Sequence, residues 1–143
     1  MEAAIMIAVF IEDSSSYDTA MTKFLDRVPA YIYLSTDGDV PIAPTGSTYD
    51  TTAEIISYWY GQTTFENGIS QETCRDLEHT GYGIASISHV AETSRIQGRD
   101  LFAEDTGTRL RYALGFHTKY ALGAEVPSWL CGGSLTGKLL NGK

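Results

Sequence analysis

The sequence predicts an all-α domain, and three observations support this. Apolar residues recur at helical spacing in several segments, those segments are separated by loops rich in Gly, Pro and Asp, and strand-like alternation is confined to the short segment 31–34. With 143 residues and 43% apolar content the chain is long enough for one domain with a core. We predict that this domain spans residues 1–135 and that residues 136–143 form a frayed C-terminal tail.

The first two helices are predicted to form an antiparallel hairpin. Residues 3–11 are apolar on nearly every side, which is typical of a short buried helix. Asp13 and the serines that follow it offer N-cap oxygens to a second helix. We expect this helix to reach about Tyr33, with Pro29 kinking it or ending its regular part.

Residues 36–51 have the composition of a loop, and long ordered loops are often functional. Three further helices are predicted after it: 52–60, a central helix within 70–98, and 109–122. Thr106 or Thr108 is the expected N-cap of the last helix, and Gly123 is expected to end it.

The central segment combines an apolar side with a chemically distinctive side. Arg75, His79 and Tyr82 stand at i, i+4 and i+7, and at ~100° per residue they fall within about 40° of one another on one helical face. The residues expected to pack inward from the opposite face are Leu77, Ile84, Ile87 and Ala91. The exposed face therefore carries a fixed cation, an imidazole and a phenol.

This trio suits β-elimination on a polymer of uronic acids. The C5 proton beside the carboxylate is weakly acidic, so elimination needs that carboxylate neutralised. Arg75 or His79 would neutralise or orient the carboxylate. Tyr82 would remove the C5 proton as phenolate or protonate the leaving O4, provided nearby cations lower its pKa from ~10. This chemistry needs no metal or organic cofactor, and none is predicted.

Each of these residues also has a structural interpretation. Arg75 would pair with Glu72 or Asp76 on the surface. His79 would be an interior histidine bonded to a carbonyl, and Tyr82 a half-buried aromatic with its hydroxyl in water.

Other residues of the chain also allow either a functional or a structural interpretation. Tyr58 and Trp59 would either stack on sugar rings or belong to the core and its rim. His89 and His117 are assigned to structure. Gly83 lies inside a predicted helix at a cost of ~1 kcal/mol relative to Ala, which indicates close approach of a ligand or a neighbouring helix.

Charge, hydropathy and cysteine content exclude several classes of protein. The net charge of -8 and the lack of a basic run argue against a nucleic-acid partner. The N-terminal apolar run is too short to span a bilayer, which takes ~20 residues, and it lacks the basic start and cleavage site of a signal peptide. Cys74 and Cys131 have no metal-ligand spacing, so they form either one long-range disulfide or two buried free thiols.

The stretch CRDLEHTGYGIASISHVAETSRIQGRDLF resembles the alginate-lyase-type domain of bacterial alginate lyases and fungal glucuronan-lyase-like proteins. The family pattern reads RDxGHTQxG, then an apolar helix with AE, then QGxDLY. The matching positions are Arg75-Asp76, His79-Thr80, Gly83, Ala91-Glu92, Gln97-Gly98 and Asp100-Leu101-Phe102. Residues 109–127 also look like the family's RL…GFEYHAKYxLG…VP segment.

The resemblance implies an incomplete (α/α) toroid, built of helical hairpins around a groove for an acidic polysaccharide. The family's carboxylate-neutralising Arg and catalytic Tyr fall on Arg75 and Tyr82, and its matched His falls on His79. Intact relatives are secreted, so the resemblance also implies an extracellular location and favours a Cys74–Cys131 disulfide.

The chain departs from the family pattern at two positions. Glu78 replaces the Gly before the His, and Gly81 replaces a Gln. The chain also resembles only the C-terminal half of the family domain, which is expected of a truncated, inactive copy. The alternatives are therefore a non-catalytic module that binds acidic glycans through Arg75, Tyr58 and Trp59, or a helical-hairpin protein that contacts another protein.

Overall fold

The structure, a computed structural model, describes residues 1–137 and confirms the all-α prediction for them. Five α-helices follow in chain order: α1 (Glu2–Phe10), α2 (Ser14–Arg27), α3 (Thr52–Tyr58), α4 (Leu77–Ile96) and α5 (Asp105–Ala121). Short 3-10 helices lie at Ser35–Asp37, Leu101–Ala103 and Cys131–Gly133. The candidate strand at 31–34 forms only an isolated antiparallel bridge between Ile32 and Ser70. Of the predicted tail, residues 138–143 lie outside the described residues.

Helices α1 and α2 pack together as the predicted hairpin. Asp13 is the N-cap of α2, since its carboxylate accepts a hydrogen bond from the Ser16 backbone N–H at 3.0 Å. The helix ends at Arg27 instead of continuing to Tyr33, because Pro29 has no backbone N–H with which to continue the helical hydrogen bonds.

Helix α1 is packed on one side only, so the prediction of a fully buried helix was wrong. Ile5 and Ala8 are buried against α2 and α4, whereas Phe10 is 88% exposed. When apolar residues lie on every side of a helix, any side of it could be buried. The side that is buried depends on which elements pack against the helix.

Helix α4 lies at the centre of the domain, in contact with α1 and α5. The predicted inward residues Leu77, Ile84, Ile87 and Ala91 are all buried. Helix α5 begins at Asp105 with Glu104 at the N-cap, so neither Thr106 nor Thr108 is the cap. Both threonines lie within the first turn, and Thr106 is itself buried.

Two long-range connections fasten the loops to these helices. The Arg109 guanidinium of α5 binds both carboxylate oxygens of Asp37 at 2.7 and 2.6 Å and the Ile32 carbonyl at 2.7 Å. Cys74 and Cys131 form a disulfide with a Cα–Cα distance of 5.1 Å, which confirms the disulfide and not the free thiols. Within residues 1–137, no helix has the length and apolar character needed to cross a membrane.

Candidate functional site

Helix α4 begins two residues after Arg75, so this arginine does not lie on the helix. Asp76 is the N-cap, with extended backbone angles and a carboxylate that accepts from the His79 backbone N–H at 2.7 Å. Aspartate is among the strongest N-cap residues, and the helical spacing therefore holds for His79 and Tyr82 but not for Arg75. The prediction of one three-residue helical stripe was wrong in this respect. We call Arg75, Asp76, His79 and Tyr82 the α4 site.

The turn that carries Arg75 is held by the C-terminal segment of the chain. Cys74, the preceding residue, is bonded to Cys131. Thr136 donates its hydroxyl to the Arg75 carbonyl at 3.0 Å and accepts the Leu77 N–H at 2.8 Å through its own carbonyl. The backbone on both sides of Asp76 is therefore fixed by contacts that are about 60 residues distant in sequence.

Arg75 pairs with Glu72 at 2.8 Å, as one of the structural interpretations predicted. The other oxygen of Glu72 accepts a hydrogen bond from the Tyr31 hydroxyl at 3.1 Å. The Arg75 side chain is nevertheless 43% exposed, and only one of the five guanidinium N–H groups is used in this pair. Arg75 is thus still accessible to an anion.

His79 is not the interior, carbonyl-bonded histidine of the alternative interpretation. Its side chain is 41% exposed, and Nδ1 lies 2.8 and 2.7 Å from the two carboxylate oxygens of Asp76. The hydrogen bond from the His79 backbone holds the pKa of Asp76 below its usual value, and a carboxylate only accepts, so Nδ1 carries the hydrogen. Nε2 has no hydrogen-bond partner among residues 1–137 and is the basic nitrogen of the neutral ring.

Tyr82 is 64% exposed and donates its hydroxyl to Glu78 at 3.1 Å. That hydrogen bond, together with the charge of Glu78, raises the pKa of Tyr82 above its ordinary value. The phenolate role expected from the sequence required a lowered pKa, whereas the pairing with Glu78 raises the pKa of Tyr82. The Tyr82 and His79 rings lie edge to face with centroids 6.3 Å apart.

The two aromatic residues proposed to bind sugar differ in how far they are buried. Trp59 is 1% exposed, with its ring edge against Phe65 at 5.5 Å, so it belongs to the core and the sugar-stacking prediction was wrong for it. Tyr58 is half-buried, and Tyr49 covers one face of its ring at 4.6 Å. The Tyr58 hydroxyl accepts a hydrogen bond from Arg27 at 3.4 Å.

The other two histidines make structural contacts. His117 is 2% exposed, donates from Nδ1 to the Ala113 carbonyl at 2.7 Å and accepts at Nε2 from the Thr73 hydroxyl at 2.8 Å. Burial lowers the pKa of His117 to about 4. His89 bonds Glu2 at 2.8 Å and so connects α4 to α1.

Sequence reasoning missed Tyr31, which joins the α4 site to α2. A Cβ placed on Gly83 would collide with the Tyr31 ring and hydroxyl, so the glycine is needed for this approach. Gly83 was the sequence signal for this contact. A glycine inside a helix predicted the close approach of a ligand or of a neighbouring helix, and the structure shows that Tyr31, from the segment after α2, lies against it. Beside Tyr31, a cavity of about 230 Å³ lies between α2 and α4, with Phe24, Arg27, Val28 and Ile87 in its lining.

Comparisons with family models, with curated proteins and with solved structures found no match. The resemblance to the alginate-lyase-type domain therefore stays a prediction from the motifs quoted above. Among residues 1–137, no three His, Cys, Asp or Glu side chains are grouped so that they would hold a metal ion.

Proposed function

We propose that the α4 site belongs to a polyuronate lyase that cleaves alginate- or glucuronan-type chains by β-elimination. The observation that carries the proposal is the His79–Asp76 pair beside Tyr82. Asp76 binds Nδ1–H and so leaves Nε2 without a protein partner among residues 1–137, while the neighbouring phenol carries a hydroxyl hydrogen. A base and an acid thus stand next to each other on one exposed turn of α4.

The elimination assigns one proton to each group. His79 Nε2 removes the C5 proton, the electron pair of that bond forms the C4–C5 double bond, and the C4–O4 bond breaks. Tyr82 donates its hydroxyl proton to O4, which becomes the hydroxyl of the released chain end. The sequence suggested either a base or an acid role for Tyr82, and because its pKa is raised the acid role suits it better. Both side chains are exposed and return to their starting protonation states by exchange with solvent.

Arg75 supplies the third element, a cation for the substrate carboxylate. Negative charge spreads onto that carboxylate as the C5 proton leaves, and a guanidinium stabilises it electrostatically. The pair with Glu72 uses one N–H of Arg75 and leaves the others free to bind.

The wider proposal concerns architecture and location. The hairpins of α1/α2 and α4/α5 would form part of an incomplete (α/α) toroid around a polysaccharide groove. The protein would act outside the cell, which the Cys74–Cys131 disulfide supports because disulfides persist in oxidising compartments.

The test is the absorbance of the 4,5-unsaturated uronate product, measured with alginate and with glucuronan. We expect His79→Gln to abolish turnover, and His89→Gln, which removes an imidazole from the same helix outside the α4 site, to leave it unchanged. No product from the wild-type chain with either polymer would overturn the proposal for this chain.

A non-catalytic glycan-binding module is the second candidate, and one observation favours it. Each of the three predicted catalytic residues has a carboxylate partner, namely Glu72, Asp76 and Glu78, and the last raises the pKa of the proposed acid. This candidate predicts that polyuronates bind without being cleaved and that Arg75→Ala weakens the binding. Turnover by the wild-type chain would exclude it.

A further inference from the structure

Arg27 differs from most arginines of the chain in what it binds. Arg75, Arg95, Arg99 and Arg109 each pair with a carboxylate within 4.0 Å. Arg27 pairs with none in residues 1–137, and its protein partner there is the Tyr58 hydroxyl at 3.4 Å. It is exposed, at the last position of α2. Its charge is therefore available to an external anion to a greater extent than that of Arg75.

Arg27 belongs to the lining of the cavity between α2 and α4. The volume of this cavity is about 230 Å³, below the ~300–1,000 Å³ typical of sites for drug-sized ligands, so it suits a single ring and not a folded chain. The apolar lining comes from Met1, Phe24, Val28 and Ile87. Tyr31 adds to it from the segment after α2, and Ser86 lies on the α4 side. An apolar floor with a cation at the rim matches a sugar ring that carries one carboxylate.

Tyr31 makes the cavity continuous with the α4 site. Its ring lines the cavity and lies against Gly83, while its hydroxyl binds Glu72, the partner of Arg75. Burial, reinforced by Glu72, raises the pKa of Tyr31 well above its ordinary value, so its hydroxyl stays protonated. Tyr31 is thus the partly buried phenol that shares the cavity with Arg27 and is linked through Glu72 to Arg75.

We propose that Arg27 is a second carboxylate-binding residue, and that the cavity beside it holds the uronate unit adjacent to the one bound at Arg75. This inference rests on the proposed function and extends it to a second subsite. The guanidinium would bind the carboxylate through two parallel N–H donors. The Tyr58 hydroxyl accepts from Arg27 and keeps its own hydrogen, and burial raises the pKa of Tyr58, so this hydroxyl donates to the same ligand.

The experiment is calorimetric titration of the full chain with a glucuronate tetrasaccharide and with its methyl ester, which removes the carboxylate charge. We expect Arg27→Gln to weaken binding of the acid about tenfold and to leave the already weaker binding of the ester unchanged. Arg27→Lys should retain part of the affinity, since it keeps the charge and loses the paired donors. Arg95→Gln is the matched control, because it removes one exposed arginine charge from the far end of α4 and should have no effect.

The outcomes separate this inference from the proposed function. Three results would overturn the inference. The wild type and Arg27→Gln could bind the acid with equal affinity, Arg27→Gln could weaken binding of the acid and the ester equally, or the wild type could bind neither. Arg27-dependent binding without any unsaturated product supports the inference and overturns the lyase. Turnover with the same KM in Arg27→Gln and the wild type leaves the lyase standing and overturns the second subsite.

Discussion

Asp76 accepts two hydrogen bonds from the same residue, His79. The backbone N–H of His79 lies 2.7 Å from Oδ1, and the ring Nδ1 lies 2.7 Å from Oδ2. One carboxylate therefore both begins α4 and orients the imidazole beside Tyr82. The start of the helix and the candidate chemistry depend on a single side chain.

The two roles of Asp76 are separable by substitution. Asn caps helices about as well as Asp, so we expect Asp76→Asn to change the free energy of unfolding little, whereas Asp76→Ala should cost about 1 kcal/mol. The neutral amide of Asn does not hold Nδ1–H as a carboxylate does, so Asp76→Asn should shift the imidazole tautomer and lower any lyase activity. Urea unfolding and ¹⁵N NMR of the His79 ring measure the two effects. An unchanged tautomer in Asp76→Asn would contradict the orienting role.

Glu78 is expected to control the acidity of Tyr82. Removing the carboxylate in Glu78→Gln should lower the pKa of Tyr82 toward its ordinary value, because both the hydrogen bond and the negative charge that raise it are weakened. NMR titration of tyrosine labelled at Cζ follows this group directly. Glu92→Gln, a change of the same type on α4 at a residue paired with Arg95, should leave the pKa of Tyr82 where it is. Equal titration of Tyr82 in both variants would show that Glu78 does not set its pKa.

His117 should make the domain less stable in mild acid. Its folded pKa of about 4 lies below the 6.5 of an unperturbed histidine, so the unfolded chain binds more protons between these values. The free energy of unfolding is not reduced by this group above pH 6.5, and it falls as the pH falls toward 4, where the loss amounts to about 3 kcal/mol. Urea unfolding from pH 7 to 4.5 should therefore show a smaller slope with pH in His117→Gln than in the wild type. An equal slope in His117→Gln and the wild type would contradict this role of His117.

Removal of the disulfide should loosen the turn that carries Arg75. The Cys74–Cys131 bond closes a loop across a sequence separation of 57 residues, and its loss in the Cys74→Ser/Cys131→Ser double variant should cost about 2–4 kcal/mol. Because Cys74 precedes Arg75, amide hydrogen exchange should increase first at residues 74–77 and 130–137. The wild type in reducing agent should show the same pattern. Uniform exchange across all five helices would mean that the bond stabilises the whole domain and has no special effect on this turn.

Most of the helical content and the inward face of α4 could be predicted from the sequence. The all-α class, the Asp13 cap and the burial of Ile84, Ile87 and Ala91 depend on the spacing of apolar residues and on interactions within one turn. Those interactions involve residues close in sequence, so they can be recognised in the sequence itself. The start of α4 was also encoded locally, in Asp76, although the spacing of Arg75 and His79 suggested an earlier start.

The candidate site depended on contacts that the sequence does not reveal. The choice between exposed and buried aromatics was made by packing, which enclosed Trp59 and left Tyr58 half-covered by Tyr49. The protonation of Tyr82 depends on which side chains pair with each other. Glu78 raises its pKa, while Arg75 and His79, the cations expected to lower it, pair with Glu72 and Asp76.

By itself, the sequence determined where helices form and which face of α4 is apolar, because propensity, capping and periodicity act over a few residues. Only the tertiary structure decided which side of α1 is covered, that Asp37 meets Arg109, and that Tyr31 passes over Gly83 to reach Glu72. Such contacts join residues tens of positions apart. They form only when several helices pack at once, and the free energy of any one pair is too small to specify that arrangement alone.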